Sequence, residues 1–345
     1  MTGPALPGPV RRIVIIRIGK IGDLIVSNFA FRKIRESFPD ARILLVTLPR
    51  NRELLRYNRT VDRVRFFHRG LDLLPLVAGI NAFRPDMVLD FNDNPSTTSR
   101  LISRFCPARI RAGFNFPGRH LTHPVECPPH DRTHITERLR LIPEAIGLRF
   151  SPDEVRPSME LGTEEAGEVQ RLMEPLRREG MRCVAVNLSA GDPSRYWPAD
   201  RWSGLLTHIS SREASAGFMP LTAPGERHLA EELQRTCPSL RFFPTPGGGF
   251  HHFAAAIAQA DLLLSPDTSA IHIAAAFRVP VLGLYPAVEW NYRSWQPLGT
   301  RFEVVRPPSG GVGSIGVESA IQTYDRLVKT PPVRNSGLDT LAGNP

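Results

Sequence analysis

Residues 12–23 read Arg-Ile-Val-Ile-Ile-Arg-Ile-Gly-Lys-Ile-Gly-Asp. Four consecutive β-branched residues predict a strand buried on both faces, as in a parallel sheet. Two glycines then let the backbone turn sharply, and an acidic residue stands where a helix should begin. A strand, a tight turn and a helix start make the opening of an α/β unit, and the rest of the chain repeats the rhythm. Strands are expected at Arg12–Ile18, Arg42–Thr47, Arg63–Phe67, Met87–Phe91 and Arg109–Phe114. Helices are expected near 24–37, 71–83, 96–105 and 134–147. Pro152 and Pro157 mark a linker, followed by a polar helix near 163–179. The pattern then restarts, with strands at Cys183–Leu188, Ala216–Leu221, Leu240–Phe243, Asp261–Ser265 and Pro280–Tyr285. Helices near 199–210, 225–236, 250–259, 268–277 and 316–329 accompany them. Alternation of this kind predicts an α/β protein with two Rossmann-like doubly wound domains of similar size and a cleft between them. Ligands of such sheets bind beyond the carboxyl ends of the strands.

Composition narrows the function classes. The 345 residues are 41% hydrophobic, which fits folded domains and not wholesale disorder. No apolar run approaches the roughly 18–20 residues needed to span a bilayer, and Arg17 interrupts the first one, which speaks against a signal peptide. Four scattered cysteines (Cys106, Cys127, Cys183, Cys237) suggest a reducing compartment, the cytoplasm, and not a disulfide framework. Charge is lopsided. Residues 1–150 hold 25 Lys and Arg against 13 Asp and Glu, whereas the remainder hold 18 against 21. A basic first half predicts an anionic partner: nucleic acid, an acidic membrane surface or a phosphorylated acceptor. Arginine-rich codon usage is the plainer explanation, since the chain has only three lysines, Lys20, Lys33 and Lys329.

Three loops hold candidate chemistry. The first is Gly19-Lys20-Ile21-Gly22-Asp23. Its two glycines are not the three-glycine dinucleotide fingerprint, so a nicotinamide cofactor is not expected. Asp23 reads either as a helix cap or as a general base projecting into the cleft. The second is Ser189 to Pro198, where Arg195 could offer a guanidinium fork to phosphate oxygens or stand as a solvated surface arginine. Trp197 and Trp202 read as packing residues. The third is Ser265-Pro266-Asp267-Thr268-Ser269-Ala270-Ile271-His272, a strand end running into an alanine-rich helix. Its amides and hydroxyls suit a phosphate. Asp267 could cap or touch ligand, and His272 could face the phosphates or pack. A histidine-rich stretch (His120, His123, Cys127, His130, His134) has ligand residues but no known metal spacing. With Pro124, Pro128 and Pro129 it reads as a stiff loop, and no metal is expected.

Taken in order, these pieces resemble the heptosyltransferase family, glycosyltransferase family 9, from about Arg12 to Lys329. The resemblance lies in Ile15-Ile16-Arg17-x3-Ile21-Gly22-Asp23, Phe38-Pro39-Asp40-Ala41, Pro85-Asp86-x2-Leu89-Asp90 and Arg111-Ala112-Gly113-Phe114. It continues in Arg195-x-Trp197-Pro198 and Asp267-Thr268-Ser269-x2-His272-x-Ala274-Ala275-Ala276. It implies a GT-B fold with an acceptor-side domain at 1–157 and a nucleotide-sugar domain at 158–315. A helix at 316–329 would cross back to the first domain, ahead of a loose tail at 330–345. It implies inverting, metal-independent transfer without a cofactor from ADP-heptose, or a related ADP-sugar, to a lipopolysaccharide-core or similar glycan. Asp23 would be the base, with Gly19 and Gly22 near the acceptor. Arg195, Asp267, Thr268, Ser269 and His272 would hold the donor diphosphate, and Glu226 its ribose. The partners implied are a nucleotide-sugar donor, an anionic glycolipid acceptor and the cytoplasmic face of the inner membrane. No nucleic-acid motif is present, and oligomeric state is left open. Ser269 departs from the family's Asp-Thr-Gly, and Pro286-Ala287-Val288-Glu289 departs from its Gly-Pro-Thr character. Those departures keep a second reading in play, a divergent or non-catalytic nucleotide-sugar-binding protein.

Overall fold

The computed structural model describes residues 8–329 except 69 and 71. The first unit contains β1 (Arg12–Ile16), α1 (Ile21–Ser37), β2 (Arg42–Thr47), β3 (Arg63–Phe66), α2 (Leu73–Phe83) and β4 (Met87–Asp90). It continues with α3 (Thr97–Phe105), β5 (Ile110–Phe114), β6 (His123–Val125) and α4 (Ile135–Ala145). The second contains α5 (Thr163–Arg178), β7 (Arg182–Asn187), α6 (Ala199–Arg212), β8 (Ala216–Leu221), α7 (Arg227–Thr236) and α8 (Phe250–Ala258). It closes with β9 (Leu262–Pro266), α9 (Ser269–Ala276), β10 (Val281–Leu284), α10 (Glu289–Trp295), β11 (Phe302–Val305) and α11 (Val317–Lys329). Every strand pairs in parallel. The first sheet runs β3-β2-β1-β4-β5-β6 and the second β11-β10-β9-β7-β8. The protein is an α/β chain of GT-B architecture.

The strand cores explain themselves. Ile13, Val14, Ile15 and Ile16 are fully buried, with Ile13 and Ile15 facing α1 and Val14 and Ile16 facing α2 and α3. The first of these cores does not stop at its own unit. Leu24, Phe29 and Ile34 of α1 belong to one cluster with Ile271 and Ala274 of α9 and with Ala255 of α8, so the two units share a packed seam below the cleft.

The structure corrects several expectations. The proline-rich loop contains β6, whose Pro124 sits opposite Gly113 at the sheet edge, where a missing N–H costs no ladder bond. Leu240–Phe243 is not a strand but a single bridge from Phe242 to Phe218. α10 and β11 were not anticipated. α10 is short, and its sequence Glu-Trp-Asn-Tyr-Arg-Ser-Trp has no apolar periodicity. The last helix does not cross back: Ala320, Tyr324 and Leu327 bury in the second unit, and Asp325 pairs with His208 of α6 at 3.0 Å. The tail expected to be loose begins beyond the described residues.

Candidate active site

The loop after β1 is pinned from both neighbouring strands. Thr47, at the end of β2, donates its hydroxyl to the Arg17 carbonyl at 2.8 Å, and buried Asn51 donates to the Gly19 carbonyl at 3.0 Å. From the β4 side, Asn92 accepts from the Ile18 amide at 2.9 Å. The helix then starts three residues earlier than expected. Lys20 is its N-cap, and Asp23 lies inside the first turn. Asp23 is therefore not the capping residue. Its Oδ2 reaches back to accept from the Lys20 amide at 2.7 Å, the returning half of a capping box. Its Oδ1 accepts from the Arg17 guanidinium at 2.8 Å. The carboxylate is about one-fifth exposed, and each oxygen keeps lone-pair capacity for a further donor. Gly19 passes so close that a methyl group on it would stand 2.6 Å from Asp23 Cγ.

The second unit presents a matching turn. Thr268, and not Asp267, is the N-cap of α9: its Oγ1 accepts from the Ala270 amide at 3.3 Å and from Asn187 Nδ2, at the end of β7, at 3.0 Å. Ser269 opens the helix, half-buried. Asp267 faces inward instead. Asn291 of α10 donates to its carboxylate at 2.6 Å, and Arg195 bonds both its carbonyl (2.7 Å) and its carboxylate (3.3 Å). Burial raises the Asp267 carboxyl above its ordinary value, with Arg195 and Asn291 opposing. Arg195 is thus no free surface arginine; it is held at the turn with its guanidinium partly exposed. Trp197 and Trp202 pack edge to face at 4.8 Å, as expected. Glu226, at the start of α7, accepts from the Tyr196 hydroxyl at 2.5 Å, while its buried Oε2 has no protein partner.

The two turns meet. α1 packs on α9, and a methyl group on Gly22 would stand 3.0 Å from His272 Cδ2 and 3.8 Å from Ser269 Cα. Two helix N-termini, each bearing partial positive charge, therefore converge from different units. His272 is buried between them. Burial pushes its imidazole down to about 3, so it stays neutral, and its Nδ1 lacks a protein partner. Such a histidine supplies one N–H and no charge. The cavity beside the Trp197–Trp202 pair, about 260 Å³ between α6 and α7, is lined by Tyr196 but by no residue of 19–23 or 267–272.

The histidine-rich stretch disperses, except that Cys127 Sγ lies 3.8 Å from His130 Nε2. His120 contacts Arg104, His123 contacts Thr122, His130 contacts the Asp93 carbonyl, and His134 bonds the Gln296 carbonyl of the second unit at 3.0 Å. Among the described residues no group of three His, Cys, Asp or Glu side chains is placed to hold a metal ion. Sequence reasoning did not single out Asn187 or Asn291, nor did it assign a role to Arg17, Asp93 or Arg138. Arg17 carried a signal, since a lone charge at the end of an otherwise apolar buried strand needs a partner.

Known proteins carry the same plan. The sequence pattern of glycosyltransferase family 9 (heptosyltransferase) matches residues 77–310. Lipopolysaccharide heptosyltransferase 3 of Escherichia coli is 22% identical over 293 residues, covering 80% of this chain and 82% of its own. The crystal structure of a family 9 glycosyltransferase from Veillonella parvula superposes with a TM-score of 0.71 at 19% identity, over 93% of this chain and 98% of that one. The E. coli heptosyltransferase WaaC, solved with ADP, superposes with a TM-score of 0.66 at 15% identity, over 92% and 98%. With the family pattern spanning the Arg195 loop and the Thr268 turn of the second unit and the fold matching throughout, the chain belongs to glycosyltransferase family 9 (heptosyltransferase).

Proposed function

We propose that this protein transfers a heptose, or a closely related sugar, from an ADP-sugar to a hydroxyl of a phosphorylated lipopolysaccharide-core or similar glycan, with inversion. The observation that carries the reading is the meeting of the α1 and α9 starts at Gly22 and His272, which gives Asp23 and the Thr268 turn one cleft. In the reaction, the acceptor oxygen attacks the anomeric carbon as the bond from that carbon to the β-phosphate oxygen breaks. The hydroxyl proton passes to Asp23, and ADP leaves. Arg17 and the Lys20 amide fix the carboxylate while leaving it able to accept that proton. Negative charge growing on the diphosphate is met by the α9 N-terminus, Thr268, Ser269 and Arg195, and by a hydrogen bond from neutral His272, without calling on a metal ion. Loss of one such donor should cost on the order of 10²–10³ in rate. Glu226, bonded by the Tyr196 hydroxyl, would accept from a ribose hydroxyl in this reading.

The basic first unit would face the anionic acceptor and the membrane carrying it. α2 supports the latter. It has no charged residue from Leu73 to Phe83, and Leu74 is 81% exposed. Phe105, at the end of neighbouring α3, is 54% exposed, and Arg65, Arg84 and Arg104 stand nearby in sequence. Exposed apolar side chains with arginines nearby in the chain suit peripheral contact with an acidic lipid surface. Among the described residues no helix is long and apolar enough to cross a membrane.

The test is ADP release from ADP-heptose with truncated lipopolysaccharide acceptors, in the wild type and in Asp23→Asn. Acceptor-dependent release that falls about 10²–10⁴-fold in the variant, with donor binding kept, is the expected result. Unchanged release would remove Asp23 as base. Donor binding without release under every acceptor would favour the non-catalytic reading that Ser269 first suggested.

A further inference from the structure

Behind Asp23 runs a line of buried charges that the proposed reaction does not use directly. Arg17, 2% exposed, gives Nη2 to Asp23 Oδ1 at 2.8 Å and Nη1 to Asp93 Oδ1 at 3.0 Å and to the Phe91 carbonyl at 2.6 Å. Asp93, 4% exposed, accepts on its other oxygen from Arg138 Nη2 at 3.0 Å. Arg138 is wholly buried. Its Nη1 reaches the Thr133 carbonyl and, at 3.2 Å, the hydroxyl of Ser294 in α10 of the second unit. Ser294 in turn donates to the His130 carbonyl at 2.7 Å. The four charges, two carboxylates and two guanidiniums, alternate in sign and cancel.

We propose that Asp93 and Arg138 are positioning residues for Asp23: acting through Arg17, they set the place and proton affinity of the base, and Ser294 anchors the far end of the line on the second unit. The role given to Asp23 rests on the proposed reaction; the coupling itself does not.

Two physical arguments support it. Buried charge is tolerated only when paired and hydrogen-bonded, so removing one member leaves its neighbour to find a new partner. Arg17 is the neighbour shared by Asp23 and Asp93, and a competitor for either carboxylate changes its hold on the other. Burial alone would raise the Asp93 carboxyl, but Arg17 and Arg138 hold it below its usual range, so Asp93 is an anion pulling on Arg17. The other groups around the line are accounted for. Asp90 is paired with buried Arg119 at 2.6 Å. His130 Nε2 lies 3.9 Å from Asp93 Oδ2. Cys127 has its thiol pushed up to about 11, first by burial and then by Asp93, and Glu126 adds to this. His134, beside Arg138, and His272, across the seam, both stay neutral. Lys20 holds Asp23 by its backbone amide.

The charge arithmetic gives opposite signs for two variants, which a role confined to stability would not. Arg138→Gln leaves the line one charge negative, so Asp93 draws Arg17 away from Asp23 and the base binds its proton more tightly. Asp93→Asn leaves the line one charge positive and gives Arg17 to Asp23 alone, so the base binds its proton less tightly. The readout is the carboxyl ¹³C titration of Asp23 in the full-length protein, its resonance assigned with Asp23→Asn, alongside the acid limb of the kcat–pH profile. Arg138→Gln should move the Asp23 midpoint up by about 0.5–1 unit and Asp93→Asn down by a similar amount. The double variant should return close to wild type, and the charge-keeping Arg138→Lys should hold near it. The acid limb of kcat should follow these shifts, with the KM for donor little changed. Midpoints that stay put, or that move the same way in both variants, overturn the proposal. Should Arg138→Gln not fold, the direction of the Asp93→Asn shift decides alone. Because the titration is read without substrate, a wild type that transfers no sugar would sink the proposed reaction and still leave this coupling tested.

Discussion

Gly22 of the first unit faces His272 of the second so closely that a single added methyl group would come within 3.0 Å of the imidazole Cδ2. An alanine at 22 gains at most about 1 kcal/mol of helix propensity, against about 1–3 kcal/mol for an overfilled contact. Gly22→Ala should therefore lower the melting temperature slightly and weaken donor binding more than it weakens the fold. Gly19→Ala is the sharper case. Its methyl group would overlap Asp23 itself, so transfer should fall nearly as far as in Asp23→Asn. Steady-state kinetics on the two variants decide it, and a fully active Gly19→Ala would show that Asp23 need not sit where it does.

Two buried histidines make stability depend on pH. Burial brings His272 down to about 3 and His134 to about 4; His134 donates Nε2–H to the Gln296 carbonyl and accepts at Nδ1 from the Thr136 amide, a neutral arrangement. Both groups bind protons in the unfolded chain below about pH 6.5 and resist them in the fold. Their contribution is therefore complete above pH 6.5 and lost as pH falls toward about 4 for His134 and about 3 for His272, at up to about 1.4 kcal/mol per pH unit for each. Urea unfolding at pH 7 and pH 5 should show the loss, and His134→Gln should flatten it. An identical pH slope in that variant would remove His134 from the account.

Tyr196 and Arg195 separate two kinds of donor contact. Tyr196→Phe releases Glu226 from its hydroxyl partner and should raise the KM for donor severalfold with little change in kcat. Arg195→Ala removes a group proposed to meet charge on the leaving diphosphate and should lower kcat itself, by on the order of 10²-fold. It also removes the guanidinium partner of the buried Asp267 carboxylate, so some destabilisation should accompany it. Equal effects of the two variants on KM alone would place Arg195 in ground-state binding.

Leu74 lies almost wholly in solvent, so Leu74→Glu should leave the melting temperature within about 0.5 kcal/mol-equivalent of wild type. It should nonetheless reduce co-sedimentation with vesicles containing anionic lipid. Binding of the wild type should also weaken as salt rises. Salt-independent pelleting, or pelleting unaffected by the glutamate, would count against membrane contact through α2.

Most of the fold was legible because parallel strands announce themselves as short β-branched runs. The elements that were missed lacked that signature. β6 is three residues with a central proline, and β11 carries Glu303 within four residues at a partly exposed edge. α10 has polar and aromatic residues with no apolar stripe. The site was legible in part. Asp23, Thr268 and His272 stood at loop ends where the fold must put ligands, yet the difference between Asp23 as cap and Asp23 as returning carboxylate turned on where the helix began. Asp93 and Arg138 were invisible for a different reason: they are 45 residues apart in the chain, and only packing makes them neighbours.

Among the described strands β1 precedes the others in the chain, and it lies inside its sheet, between β2 and β4. Its register with β4 joins Ile13 to Met87 and Ile16 to Asp90. A ribosome adds the roughly 75 intervening residues in about 4–15 s. For that interval one edge of an Ile-Val-Ile-Ile strand has no native partner. Until residue 90 has been added, the chain thus carries an apolar strand edge open to wrong association, and cellular yield should depend on how quickly translation passes that point.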